Sequence, residues 1–379
     1  MKNNRAAIPE DVKLRLWATS GARCEFNNCN KPLWYNGLTF SKSNFAEMSH
    51  IIGAKEKGPR GSDDSNEYEK DFNNLMLLCP TCHKEIDDFE DEYSIQQLRD
   101  WKKKHEERID LLTSFKNEID KTTIIRFTAK IGSRYPNIHD QVAKNAVLPR
   151  KWPSSENGIE VGFPDFNRKL QSDWDSAVDV IQRKFELIHN SLNSDIYKGH
   201  FSIFAIGPMP LLMVLGKYVS DTIPCDIFHN NRAIKETNNT WKWDDCIVGS
   251  TAFVVKQLNN VPTAKNVMLI LSISDAVNSA QYSAILEEDF AVYELTIDDP
   301  SIHFLKSRQQ LEIFSYEYRR LLNTIQTKHG NDVNIHILPA VPAAIAVQCG
   351  RVLLPTKDPK IYCYEYFPDS GYQKVLQLN

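Results

Sequence analysis

Apolar positions are spread unevenly along the chain. Over roughly the first hundred residues polar side chains dominate, with Asn, Lys and Asp frequent and no long apolar segment between them. Such a stretch builds only a small core, the situation in which a structural metal is most useful. From Ser94 the pattern becomes regular. In SIQQLRDWKKKHEERIDLLTSFKNEID, Ile95, Leu98, Trp101, Ile109 and Leu112 recur on an approximately helical period and predict a helix that closes the first domain. Lys102–Lys104 on that helix read as a solvated face rather than a DNA contact. At Thr122 the texture changes: TTIIRFTAKI is β-branched and apolar, as expected of a buried strand opening a second domain. A helix near Trp174–His189 follows. Beyond it the apolar runs FSIFAI, CDIFH, NVMLILSIS, VYELTI, NIHILPA and KIYCYEY alternate with helical stretches, which predicts an α/β fold with a largely parallel sheet. The expected division is a domain at 1–115, a linker at 116–121 and a domain at 122–379.

Within the second domain one unit is echoed. FSIFAIGPMPLLMVLGKYV runs from an apolar strand through Gly207-Pro208 and an apolar helix to Gly216-Lys217. VNIHILPAVPAAIAVQCGRVLL repeats the plan with Val341-Pro342 and Gly350-Arg351, and proline and glycine are eight residues apart in both. The repetition predicts a duplicated strand–turn–helix–strand unit. Each Pro turn opens a helix whose free N–H groups and positive dipole end suit an anionic ligand, and two such ends near a pseudo-twofold axis would suit two phosphates. Proline at a helix start and glycine at its end also serve as ordinary caps.

Composition narrows the class. Hydrophobic residues are 42% and charged residues 25%, ordinary for a globular protein, and a net charge of −4 gives no global polycation signature. Nucleic-acid contact would therefore have to come from local basic patches. No apolar run approaches the ~18 residues of a membrane span, and MKNNRAAIPE carries no apolar signal core, so no membrane association and a cytoplasmic location are expected. Of eight cysteines, Cys225, Cys246, Cys349 and Cys363 lie singly in or beside apolar segments, as small buried hydrophobes do. The other four are clustered.

Cys24 and Cys29, then Cys79 and Cys82, form two short-spaced thiol pairs some fifty residues apart. Four thiolates on two knuckles match a tetrahedral structural Zn²⁺ site. A redox dithiol or a haem attachment at Cys79-Pro-Thr-Cys82-His83 would leave Cys24 and Cys29 unused. Between the knuckles lie His50-Ile51, Gly58-Pro59-Arg60-Gly61 and Asn74-Leu75-Met76-Leu77-Leu78-Cys79, followed by Cys82-His83. This order and spacing, over roughly residues 15–110, resembles the HNH endonuclease family. The resemblance implies an α+β, ββα-metal fold, with His50 as the base that activates water, His83 as a ligand of a catalytic Mg²⁺, and Asn74 as the residue that orients loop and base. The residue types suit phosphodiester hydrolysis: a neutral imidazole accepts a proton near pH 7, and a divalent cation offsets charge at the phosphate. The chain departs from the family at Ser49, where many members carry an Asp ligand. Glu47, three residues before His50, would point to the opposite strand face from His50, leaving the cation mainly to His83 and phosphate oxygens.

From about 122 onward FAIGPMPLLMVLGKYV, TWKWDD and HILPAVPAAIAVQCGRVLLPTKDPKIYCYEY resemble the SAVED domain, two fused CARF-like (Rossmann-like) halves that sense cyclic oligonucleotides. The HNH–SAVED order resembles the effector nuclease of bacterial CBASS anti-phage systems. It implies a cyclic dinucleotide (cGAMP-like) made by a partner cyclase, ligand-driven homo-oligomerisation from dimer to tetramer, and non-specific degradation of double-stranded DNA. Helix ends and cations would meet the phosphates and aromatic rings the bases. The candidates are Gly207, Pro208, Trp241, Lys242, Trp243, Pro342, Arg351 and Lys357, with core packing open for the two tryptophans and a capping role open for Arg351. Two other functions stand beside this one: an HNH restriction endonuclease reading modified DNA through its second domain, and a non-catalytic sensor with a degenerate HNH module.

Overall fold

Short apolar runs between polar stretches decide the architecture. The structure, a computed structural model, describes residues 7–36, 39, 41–113, 121–148, 150–191, 199–231, 240–244, 252–285 and 290–379; Cys246 and all of the expected linker but Lys121 lie outside the described residues. The chain divides into two units, Met1–Glu118 and Ile119–Asn379.

The first unit contains α1 (Glu10–Thr19), β1 (Glu47–His50), α2 (Ser65–Tyr68), β2 (Leu75–Leu78), α3 (Pro80–Asp88) and α4 (Ile95–Thr113). Strands β1 and β2 pair antiparallel, with Glu47 opposite Leu78 and His50 opposite Leu75. All four residues of β2 are buried, and with Cys24, Leu33, Ile51, Ile86 and Leu98 they supply most of the small core. Phe26 packs edge-on against Trp101 at 4.9 Å and Tyr93 at 5.8 Å, fastening α4 to it. The expected solvated face of α4 holds for Lys103 and Lys104, which are exposed, but not for Lys102. Its ammonium is buried 2.7 Å from Glu106 Oε1, 4.0 Å from Glu25 Oε1 and 4.0 Å above the Phe72 ring. A charge is tolerated there because carboxylates and an aromatic face meet it.

The second unit runs β3 (Lys121–Ala129), α5 (Asp140–Val147), β4 (Trp152–Pro153), β5 (Ile159–Phe163), α6 (Gln171–Asn190), β6 (Phe201–Ile206), α7 (Met209–Val219), β7 (Cys225–Phe228), β8 (Val254–Asn259), β9 (Asn266–Ser272), β10 (Phe290–Thr296), α8 (Arg308–His329), β11 (Asn334–Ala340), α9 (Ala343–Arg351), β12 (Lys360–Phe367) and β13 (Gly371–Gln377). One sheet has the order β4-β3-β6-β7, with β5 also on β3, and all its pairings are parallel. The other has the order β13-β12-β11-β9-β10-β8, parallel within and closed by antiparallel edge strands β8 and β13. The main apolar core, flanked by two smaller clusters, runs from Ile125 and Phe127 through α6, α7 and α9 to Ile335 and Ile361, so α7 and α9 are apolar on nearly every face.

The echoed sequence units are β6–α7–β7 and β11–α9–β12, one in each sheet. Pro208 and Pro342 occupy equivalent N-cap positions, with φ/ψ of −57°/139° and −60°/150°. Gly216 and Gly350 have a different job from the capping open to them in sequence. Each sits inside its helix, where the two helices cross reciprocally. A Cβ on Gly216 would lie 1.9 Å from Val347 O, and one on Gly350 1.8 Å from Met213 O. Gly216→Ala is expected to force the helices apart and cost about 3 kcal/mol or more, read as a lower urea midpoint. Gly350→Ala should do the same, and the double variant should cost less than the sum, because one separation relieves both clashes.

His336 on β11 is buried, with Nδ1 2.9 Å from Tyr364 Oη and Nε2 3.3 Å from Asn266 Oδ1. Burial, aided by the Lys374 charge, pushes its pKa down to about 4 from 6.5. The unfolded chain therefore takes up this proton below about pH 6.5 and the folded one only near 4, so stability falls as pH falls through that window. Urea unfolding at pH 6.5 and pH 5 should show a loss from this group on the order of 2 kcal/mol, and His336→Asn should flatten the slope by that amount.

Candidate functional site

In the first unit the four clustered cysteines converge. Cys24 and Cys29 lie on the loop after α1, where Asn28 and Asn30 adopt left-handed φ values of 64° and 50° to turn the chain tightly. Cys79 caps α3, Pro80 occupies the first helical turn, and Cys82 follows one turn in. The four Sγ atoms lie within 4.8 Å of one another, with Cys29 and Cys79 4.0 Å apart, and the Cys79 N–H donates to Cys24 Sγ at 3.3 Å. Tetrahedral ligands at about 2.3 Å from one ion are about 3.8 Å apart, so this set could hold a metal such as zinc. Burial, reinforced by the neighbouring cysteines, pushes the Cys24 and Cys82 thiols up, so thiolates form there only with a cation to meet their charge.

This knuckle sets the start of α3, and with it His83. Among the residues singled out in sequence, His50 ends β1, and its Nε2 lies 3.0 Å from Glu69 O. A carbonyl only accepts, so Nε2–H is the donor, and in the neutral ring the lone pair is on Nδ1. Asn74, 2% exposed, accepts from Ile52 N at 2.8 Å and donates to Ile52 O at 3.0 Å and Tyr68 O at 3.1 Å. It thereby ties the turn after His50 to the residue just before Glu69. His50 and His83 share no hydrogen bond.

Instead His83 lies between two carboxylates, with Nδ1 2.6 Å from Glu47 Oε2 and Nε2 3.3 Å from Asp87 Oδ2. The Asp87 contact, working against burial and reinforced by Glu47, holds the imidazole above its usual pKa. Burial would raise the Asp87 carboxyl, but hydrogen bonds from His83 and Arg60 outweigh it and hold it below its usual range. Arg60, at a left-handed φ of 54°, spreads its nearly buried guanidinium over Ile51 O at 2.9 Å, His50 O at 3.4 Å, Ile86 O and Asp87 Oδ1 at 2.9 Å. Neither role was assigned from sequence. The His83–Asp87 spacing of one helical turn was the available signal; the reach of Arg60 across the turn had none.

In the second unit the candidate ligand residues separate into two groups. Gly207, Pro208 and Pro342 sit where β6 and β11 end and α7 and α9 begin, the edge at which parallel α/β sheets take ligands. Gly207 is pressed onto β3, where a Cβ would meet Ala129 Cβ and Phe127 Cε1 at 3.2 Å. Trp241 is core: it is 4% exposed and packs against Phe204 at 5.2 Å, so its face is not offered for stacking. Trp243 is half-buried with Nε1 unpartnered, and Lys242 between them is exposed. Arg351 ends α9, about 13 Å along the helix from Pro342, and Lys357 lies exposed in the following loop. Arg351 Nη2 donates to Ile223 O at 2.8 Å, so it holds the α7–β7 loop rather than capping its own helix. Its place is on a cavity of about 790 Å³ shared with Arg308, Arg319, Arg320 and Gln348. No helix among the described residues is long and apolar enough to cross a membrane.

Two largely parallel α/β halves built on one repeated unit define a Rossmann-like class of fold. Residues 186–378 match the family described as the SMODS-associated and fused to various effectors sensor domain, SAVED, and the chain belongs to that family. Similar solved structures include the Cap4 SAVED/CARF-domain containing receptor of Acinetobacter baumannii with the cyclic trinucleotide 2′3′3′-cAAA, at 17% identity and TM-score 0.47 over 84% of this chain and 67% of that one. The Moraxella osloensis Cap4 receptor matches at 13% identity and TM-score 0.43, over 84% and 66%. No curated protein matches the chain.

Proposed function

We propose that this protein is a metal-dependent HNH endonuclease for double-stranded DNA, switched on by a cyclic oligonucleotide bound to its SAVED unit, as a CBASS effector in anti-phage defence. The observation that carries the nuclease half is His50. Its Nε2–H is committed to Glu69 O, so the ring is held in the tautomer whose Nδ1 can take a proton from water. Asn74 is a positioning residue: its three hydrogen bonds fix the backbone on both sides of that imidazole. His83 on α3 would hold Mg²⁺, which supplies positive charge against the charge developing at the scissile phosphate and leaving oxygen. Cys24, Cys29, Cys79 and Cys82 would hold zinc and fix the start of that helix.

The SAVED family supports the sensor half. The two Pro-capped helix starts, with Lys242 and Trp243, are the proposed contacts for a cyclic dinucleotide of the cGAMP type; the structures of a relative contain cyclic trinucleotides. A DNase without sequence preference harms its host unless it is off at rest, so activity should follow ligand-induced assembly. Sedimentation velocity with a panel of cyclic di- and trinucleotides tests this. One ligand should convert the resting species to a dimer or tetramer, and no binding or mass change with any of them would count against the switch.

A further inference from the structure

Ser49 cannot fill the place of the carboxylate that many HNH sequences carry beside the base. It is fully buried, and its hydroxyl has no hydrogen-bond partner. In an extended strand, residues 47 and 49 share a face while His50 takes the other. On that shared face Glu47 is the residue that reaches α3, placing Oε2 2.6 Å from His83 Nδ1.

Carboxylates face both ring nitrogens of His83. Asp87 is the fixed partner, because Arg60 holds its other oxygen at 2.9 Å and is itself anchored on the carbonyls of His50, Ile51 and Ile86. Nε2 faces that locked carboxylate, and Nδ1 faces the half-exposed Glu47. A divalent cation bound at Nδ1 would take the place of the proton that bridges this nitrogen and the Glu47 carboxylate. A carboxylate that orients an imidazole from behind while its other nitrogen binds metal is a recurrent metal-site arrangement.

We propose that Glu47 Oε2 and His83 Nδ1 are the two protein ligands of a divalent-cation site, and that Asp87 and Arg60 hold the His83 ring in place. The ligand atoms of one octahedral Mg²⁺ at right angles lie about 3 Å apart, so Glu47 needs to move only a few tenths of an ångström. Its side chain is 46% exposed, leaving that movement and the remaining coordination positions open to water and phosphate oxygens. Arg60 thus joins the cation arm to the backbone of the base, since the guanidinium that holds Asp87 also holds the His50 and Ile51 carbonyls. The site rests on the nuclease reading for its purpose, not for its ligands.

Mn²⁺ binding to the full-length, zinc-loaded protein, without DNA or nucleotide, tests the site through the electron paramagnetic resonance signal of free Mn²⁺. Glu47→Gln and His83→Ala should each weaken Mn²⁺ at least tenfold, and Asp87→Asn by 10- to 100-fold. Zinc content and the thermal midpoint of Glu47→Gln, an exposed position, should not change. Binding unaltered in Glu47→Gln but lost in His83→Ala would overturn the inference and leave the nuclease reading standing. A wild-type protein that binds no Mn²⁺ at millimolar concentration would overturn both. Glu47-dependent binding in a protein that cleaves no DNA with any cyclic nucleotide would uphold the site and sink the nuclease.

Discussion

Cys79→Ser, or removal of zinc by a strong chelator, should unfold the first unit and leave the second folded. The first unit's core is small, gathered around β2, and half the cluster lies on a loop that the thiols, with two hydrogen bonds between Glu25 and Leu77, tie to the end of β2 and the start of α3. Apparent binding free energies of structural zinc are about 10–16 kcal/mol, comparable with the whole stability of a domain. Losing a thiolate ligand therefore removes more than the remaining apolar contacts supply. Among the described residues of the second unit no metal-ligating cluster occurs, and its core runs through both sheets. Limited proteolysis with metal analysis should show rapid loss of residues before about Glu118 and a resistant fragment beyond it. Unchanged protease resistance after complete metal removal would show that the cysteines do not hold the unit together.

His50→Ala should lower single-turnover DNA cleavage by about 10²- to 10⁴-fold, the range of a general base. His50 is half-buried and bonded through one ring nitrogen only to Glu69 O, so the substitution leaves the zinc knuckle, Asn74 and the Glu47–His83 pair in place. Zinc content, Mn²⁺ affinity and nucleotide-driven assembly should therefore match the wild type. Loss of activity accompanied by loss of assembly would assign His50 a structural role instead.

Much of the second unit could be read from its apolar runs. NIHILPA coincides with β11, FSIFAI with β6, and the duplicated unit reappears as two equivalent strand–helix–strand segments. Edge strands were harder to see. In β8 all residues but Val254 are exposed, so the sequence VVKQLN carries no buried face to betray it. Trp241 looked like a stacking platform because its burial comes from Phe204 and Phe228, distant in sequence. Arg351 was grouped with Pro342 by proximity in sequence, although the two lie at opposite ends of the nine-residue α9. Gly216 and Gly350 showed in sequence as a repeated spacing, but the reason, a backbone-to-backbone helix crossing, is a fact of packing. In the first unit the order of Cys, His and Asn was legible. The partners of His83 were not, since Glu47 reaches it across a strand–helix junction and Asp87 is locked by an arginine from a turn.

The most direct measurement incubates the protein with supercoiled plasmid, Mg²⁺ and a panel of cyclic di- and trinucleotides, with His50→Ala in parallel. The account predicts an intact plasmid without nucleotide, degradation with at least one cyclic nucleotide, and an intact plasmid again with His50→Ala. Cleavage that ignores every nucleotide, or ligand-activated cleavage that survives His50→Ala, would contradict it.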